Sequence, residues 1–216
     1  MGDFETVAGR PPQSKDFETV AGRPPQSKDF ETVAGRPPQS KDFETVAGRP
    51  PQSKDFNDLI AANAAYAETL DSSGFDGVAR AGVAIVTCMD SRIDPLRMLG
   101  LAHGDAKIVR NPGGRIDQQA LEALVLGVHL LGVDRILVIA HTRCAMTSSS
   151  EEQLRERVSE SAGTDASWQS FHVIDDQLAS LADDVRAVRS HPLIPDTVAV
   201  GGFVYDVDTG LLTRHV

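Results

Sequence analysis

The residues best equipped for chemistry fall in two short segments, "CMDSR" (88–92) and "HTRC" (141–144), each at the end of an apolar run. Cys88 and Cys144 are the only cysteines of the 216-residue chain. Two thiolates and an imidazole suit zinc, which pairs soft sulfur with borderline nitrogen in a tetrahedral shell. Three protein ligands, Cys88, His141 and Cys144, leave a fourth position, and an open position is the catalytic pattern. Asp90 and Arg92 extend the set as Cys-x-Asp-x-Arg. A carboxylate two residues from a ligand either swings onto the metal as a conditional fourth ligand, closing a structural site, or is held off it by a bidentate pair with Arg92. Held off, Asp90 accepts a hydrogen bond from zinc-bound water and orients the resulting hydroxide. Zinc lowers the pKa of bound water from ~15.7 to ~7 in a favourable site. Two thiolates donate charge to the ion, so the hydroxide form is expected at higher pH than with three histidines.

For these residues to meet, two strands must end side by side. "GVAIVT" (82–87) and "RILVIA" (135–140) are short, apolar and β-branched, as buried parallel strands are. "AKIVRN" (106–111) reads as a further strand, and "DTVAVGGFVYDVDTG" (196–210) as a strand that runs into a turn. Helices are expected over 56–70, with Leu59, Ala62, Tyr66 and Leu70 near one face, and over 118–131, ended by Gly132. Ser149 and Glu152 form a candidate capping box for a helix to about 160. Ile174, Leu178, Leu181, Val185 and Val188 recur at helical spacing through 174–189. Strands alternating with helices predict an α/β domain, a mostly parallel central β-sheet flanked by helices. In such sheets ligands gather beyond the carboxyl ends of the strands, where Cys88, His141 and Cys144 fall.

Residues 1–54 are different in kind. "DFETVAGRPPQSK" occurs four times without change, at 3–15, 16–28, 29–41 and 42–54. Each unit offers only Phe, Val and Ala as apolar contacts, too few to offset its chain entropy, so a disordered tandem-repeat tail is expected. Its other reading is a multivalent docking tail. The repeats are charge-neutral, so the net −10 lies in the remainder, with 13 basic against 23 acidic residues. That balance argues against nucleic acid or an anionic membrane as partner. No apolar run reaches the ~18 residues of a membrane span. The absence of a secretory pattern, with two cysteines only, predicts a cytoplasmic setting and thiol chemistry instead of a disulfide framework. Residues 55–216 have the size of one domain.

"CMDSR", "RNPGG" (110–114) and "HTRC", in this order and with "GGFVYDVDTG" (201–210) near the end, resemble the β-class carbonic anhydrases, particularly their short bacterial members. The likeness covers roughly 56–212. It implies a zinc enzyme that interconverts carbon dioxide with bicarbonate and a proton. Cys88, His141 and Cys144 would be the ligands and Asp90 with Arg92 the catalytic dyad, while Gly113 and Gly114 would lie in a loop beside the substrate. It further implies a homodimer, sometimes paired into a tetramer, with helix 56–70 lying across the neighbouring subunit. Two departures are Arg143 and Ala145, where the family usually has a small or acidic residue and a glycine; "RNPGG" also replaces the more usual "RNAG". Arg143 adds a cation able to hold an anion such as bicarbonate. Carbonyl sulfide or carbon disulfide hydrolysis on the same scaffold is the nearest alternative, and a catalytically silent zinc scaffold with a docking tail is another. His103, His129, His172, His191 and His215 are expected to be ordinary surface or core residues. Arg115 and the acidic positions of 151–160 read as solvated charge, and Trp168 as packing.

Overall fold

Strands form where β-branched and aliphatic residues run uninterrupted, and the order in which they pair decides which ends become neighbours. The computed structural model describes residues 55–70 and 76–216; the expectations for the repeats of 1–54 lie outside them. In chain order the elements are α1 (Asn57–Thr69), β1 (Val83–Cys88), β2 (Ala106–Asn111), α2 (Gln118–Leu130), β3 (Arg135–His141), α3 (Ala145–Ser148), α4 (Glu151–Ala162), α5 (Gln177–Arg189), β4 (Ala199–Tyr205) and β5 (Leu212–Arg214). Short 3₁₀ turns occupy Arg97–Leu99 and Pro112–Gly114. The sheet order is β2-β1-β3-β4-β5. The pairings β1 with β2, β1 with β3 and β3 with β4 are parallel, and β5 adds an antiparallel edge. The expected α/β architecture is therefore present.

Alternation along the strands divides the core between two faces. Ala84, Val86, Ile136 and Val138 pack with Ala120 and Leu124 of α2 and with Leu181, Val185 and Val188 of α5. Val83, Ile85 and Ile139 point to the other face, toward Met98, Leu99 and Phe203. Each fully buried Val, Leu or Ile side chain among these contributes about 1.5–3 kcal/mol of hydrophobic stabilisation. β1 is buried along its whole length, as two-sided coverage requires. By contrast α1 has no buried residue, and Leu59, Ile60 and Tyr66 stand in solvent. Among the described residues no helix is long and apolar enough to cross a membrane.

Several boundaries differ from expectation. The capping box of α4 uses Ser150 and Gln153, one residue beyond Ser149 and Glu152. "SSSEEQ" offers the pattern in more than one register, and here Glu151 is taken up by the backbone of Phe171 and Val173. Helix α5 starts at Gln177 because Asp176 caps it, accepting from Ala179 N–H at 3.0 Å. Ile174 precedes the helix, and its N–H bonds Met146 O instead. α3 and β5, of four and three residues, are too short to leave a periodic signal.

Candidate metal centre

Chain order supplies the site before any side chain is considered. From β1 the chain crosses to β2 on one side, whereas β3 lies on the other, so the winding reverses between β1 and β3. Crevices form at the carboxyl ends of strands at such a reversal. Cys88 is the last residue of β1 and His141 the last of β3. Just below them Thr87 Oγ1 donates across the strands to Ile139 O at 3.0 Å, satisfying a buried hydroxyl and locking the two ends together.

The three sequence-predicted donors meet there. Cys88 Sγ and Cys144 Sγ are 4.0 Å apart, and one donor atom from each of Cys88, His141 and Cys144 lies within 4.8 Å of the others. All three are buried. A tetrahedral zinc with Zn–S of ~2.3 Å asks for sulfurs ~3.8 Å apart, close to what is found. His141 Nδ1 stands 2.9 Å from Thr142 O. Donation to that carbonyl fixes the tautomer and leaves the lone pair on Nε2. Among the described residues Nε2 is the only buried side-chain nitrogen or oxygen without a hydrogen-bond partner. An orphaned acceptor beside two sulfurs is what a metal ligand looks like without its ion, because buried polar atoms are otherwise almost always paired. The residues present thus fit zinc.

Electrostatics point the same way. The Cys88 thiol is pushed well below its usual range, chiefly by a hydrogen bond from Cys144, and further by the backbone N–H groups of Asp90 and Gly113, against the opposing effect of burial. Cys144 is pushed up, by giving its hydrogen to Cys88 and by burial. A divalent cation held by both sulfurs would displace the Cys144 hydrogen and make both thiolates.

Asp90 stands off this trio. Its Oδ1 accepts from Arg92 N–H and Nε, both at 2.9 Å, and its Oδ2 from the Arg92 guanidinium at 2.7 Å. Oδ2 is 3.9 Å from His141 Nε2, beyond hydrogen-bond reach. The same guanidinium donates to Arg143 O at 3.0 Å. Arg143 has φ 53°, so the left-handed residue of "HTRCAM" is Arg143, and Ala145 simply begins α3. The Arg143 side chain turns outward to Asp208.

The "RNPGG" loop closes the rear. Gly113 N–H donates to Cys88 Sγ at 3.3 Å. A Cβ on Gly114 would fall 2.8 Å from Cys88 N and 2.9 Å from Thr87 C, so only glycine lets the loop lie against β1. Arg110, within the quoted motif but without a role assigned from sequence, donates from Nε to Cys88 O at 2.9 Å and from its terminal nitrogen to Asp90 O at 2.5 Å. Over Cys88, Asp90, Arg92 and Cys144 opens a cleft of about 670 Å³, walled by Met89, Pro112, Met146, Leu154, Val158 and Phe171.

Three sequence readings are corrected here. Arg115 is no solvated charge: Nε and a terminal nitrogen grip Asp184 at 2.6 and 3.1 Å, and Asp184 is buried. The sequence does show Asp184 as a charge within the buried stripe of Leu181, Val185 and Val188, although it does not name the partner. Glu151 of the acidic helix accepts from Phe171 and Val173 N–H, anchoring the segment that carries Phe171 to the cleft. Trp168 is 77% exposed and packs little; its Nε1 donates to Asp165 O. Gln177 was missed altogether, although its Nε2 donates to His141 O at 2.9 Å. His103, His129, His172, His191 and His215 stay out of the trio, as expected.

Comparison with known proteins agrees with this geometry. The family model described as carbonic anhydrase matches residues 83–212. Beta-carbonic anhydrase 1 of Mycobacterium bovis is 31% identical over 162 residues, spanning 73% of this chain and 96% of that protein. The crystal structure of carbonic anhydrase from Streptococcus mutans superposes with a TM-score of 0.68 at 34% identity, covering 76% of this chain and 99% of its own. A carbon disulfide hydrolase of Acidithiobacillus thiooxidans is also similar, at 28% identity over 149 residues, 59% of this chain and 74% of that protein. With the motifs, the sheet and these relatives in agreement, the chain belongs to the β-class carbonic anhydrase family, and is an enzyme of the carbonate dehydratase type, a lyase.

Proposed function

We propose that the protein catalyses the zinc-dependent, reversible hydration of carbon dioxide to bicarbonate and a proton. The observation that carries this reading is the buried, unpartnered Nε2 of His141 facing two sulfurs, beside a carboxylate already engaged by arginine. Cys88, His141 and Cys144 would hold the ion, which when bound supplies Lewis acidity and lowers the pKa of a water in the fourth position. Asp90, whose carboxylate is held by Arg92, would accept a hydrogen bond from solvent in the cleft and orient its lone pair toward the substrate carbon. Gly113 and Gly114 carry the loop beside the reacting atoms. The apolar wall of Met146, Leu154, Val158 and Phe171 suits a small, linear, uncharged substrate and offers bicarbonate little to hold it. Arg143 at the mouth supplies a cation for the departing anion, shared with Asp208. Atoms balance as carbon dioxide plus water giving bicarbonate plus a proton, which passes to buffer.

The exposed apolar residues of α1 support a homodimer in which that helix is covered by a second copy. Two free thiols fit the reducing cytoplasm. A second reading has one specific support, the carbon disulfide hydrolase relative, because the same wall accepts carbon disulfide or carbonyl sulfide. Stopped-flow measurement of carbon dioxide hydration by the zinc-replete full chain, from neutral to alkaline pH, separates the two. Turnover well above buffer is expected. No rate at any pH, together with sulfide release from carbonyl sulfide or carbon disulfide, would replace the first reading with the second.

A further inference from the structure

Two side chains of α5 reach the candidate metal centre from behind. Gln177 Nε2 donates to His141 O at 2.9 Å, and Asp184 receives the Arg115 fork. Seven residues are close to two helical turns, so both positions lie on one face of α5. Arg115 ends the Pro112–Gly114 turn, and its backbone is fixed as firmly as its side chain. Asn111 Oδ1 accepts from Arg115 N–H at 2.8 Å, and Asn111 Nδ2 donates to Arg115 O at 2.7 Å. Gly113, two residues away, directs its N–H to Cys88 Sγ.

A buried ion pair is poor evidence of stability design, because apolar residues of similar volume serve as well or better. Asp184 nevertheless sits within an apolar stripe, where a leucine would extend the core. Its place next to the loop that touches a ligand sulfur calls for another account.

We propose that Arg115 and Asp184 are positioning residues for the metal ligand Cys88, tying the 112–115 loop to α5 so that Gly113 N–H stays on the Cys88 sulfur. The inference rests on the reading of Cys88 as a zinc ligand. The N–H···S bond draws charge from the thiolate and fixes the direction of its remaining lone pairs. Gln177 holds the His141 backbone from the same helix, so α5 keeps ligands from two strands in one frame. Partners of this kind orient the groups that bind the metal and typically change its affinity 10–100-fold when lost.

The test uses the full chain with Arg115→Gln and Asp184→Asn. Zinc affinity is measured by competition with a chromophoric chelator, and the cobalt-substituted protein is read at its thiolate-to-cobalt charge-transfer band, which reports on the ligand sulfurs directly. Each folded variant is expected to lose roughly 10–100-fold in zinc affinity and to shift the band. The double variant should lose little more than the worse single one, because both remove the same contact. Arg115→Lys, which keeps the charge but not the fork, should fall between. A pair of merely structural value would lower the melting temperature and leave the band where it is, overturning the proposal. If the single variants do not fold, Arg115→Met with Asp184→Leu leaves no uncompensated charge and is measured instead. Weakened affinity there supports the clamp, and unchanged affinity and band refute it. Wild-type protein that takes up neither zinc nor cobalt refutes the metal centre itself, a result distinct from any the variants give.

Discussion

Both oxygens of Asp90 are engaged by one arginine, and the consequence can be read in its ionisation. Its carboxyl is held down at about 2, first by the hydrogen bond from the Arg92 side chain and then by the Arg92 N–H and the guanidinium charge, against partial burial. A carboxylate whose folded pKa is depressed contributes stability above its ordinary value, and that contribution fades as pH falls through about 2. With Arg92 more than a third exposed, solvent screening limits the pair to roughly 1 kcal/mol. Across the neutral and alkaline range Asp90 is therefore charged, so its own titration adds no pH dependence to turnover there. Asp90→Asn is expected to keep one zinc per chain by elemental analysis and to lower kcat/KM by about 10²–10⁴, the usual worth of a positioned proton acceptor. Full turnover in that variant would remove the carboxylate from the chemistry. Arg92→Ala is expected to lose activity by another route, since the freed Asp90 can then turn toward the ion. The crystal structure of the zinc-loaded variant should show an Asp90 oxygen as the fourth donor in place of solvent. A solvent ligand still in that place, with full activity, would show that Arg92 restrains nothing.

At the scale of elements, the centre depends on how closely the 112–115 loop can lie against β1 and β3. Gly114 has φ 68°, and an added Cβ would meet only backbone, Cys88 N, Thr87 C and Ile139 O, all within 3.0 Å. Gly100 has nearly the same φ, 66°, but nothing within 4 Å. Gly100→Ala should therefore cost only the left-handed conformation, ~1 kcal/mol. Gly114→Ala should cost at least about 2 kcal/mol, the overpacking adding to that strain. In thermal melts this corresponds to a fall of roughly 4–8 °C for Gly114→Ala, with weakened zinc binding for that variant alone; equal melts would mean that the loop can retreat. The pair also illustrates what sequence can reveal. "GVAIVT", "AKIVRN" and "RILVIA" were legible as strands because β-branched runs bounded by polar residues have few other uses, and with them came the rim where the trio meets. Cys88, His141 and Cys144 were legible because donor type and spacing speak for themselves. Arg115 with Asp184 and Gln177 with His141 were not, because these partners lie 69 and 36 residues apart and only tertiary packing brings them together. The register of the α4 cap failed for a more local reason, since "SSSEEQ" admits neighbouring solutions and the choice is made by what Glu151 binds elsewhere.

For the whole molecule the open matter is α1. A helix of 13 residues is marginal in water by itself, and helices of that length owe their stability to a packed face. None of its residues is buried, although Leu59, Ile60 and Tyr66 are large and apolar. We propose that a second copy of the chain supplies the missing surface and that residues 55–216 form the functional domain, with the repeats of 1–54 dispensable for it. A chain beginning at Asp55 should then match the full protein in zinc content and kcat/KM, and a large loss in either would assign the repeats a part in the domain. Charge sets a further condition. The net −10 falls wholly beyond residue 54, so two domains repel each other, and salt should tighten their association by screening that repulsion. Sedimentation of the wild type is expected to give twice the 23.1 kDa chain mass or a multiple of it. Leu59→Glu combined with Tyr66→Glu places two further charges on the face to be covered, and should shift the mass toward a single chain with loss of helical signal from α1. Wild-type protein that sediments as one chain at all salt concentrations, with α1 still helical, would show that this helix stands without a partner and that the site is complete in one copy.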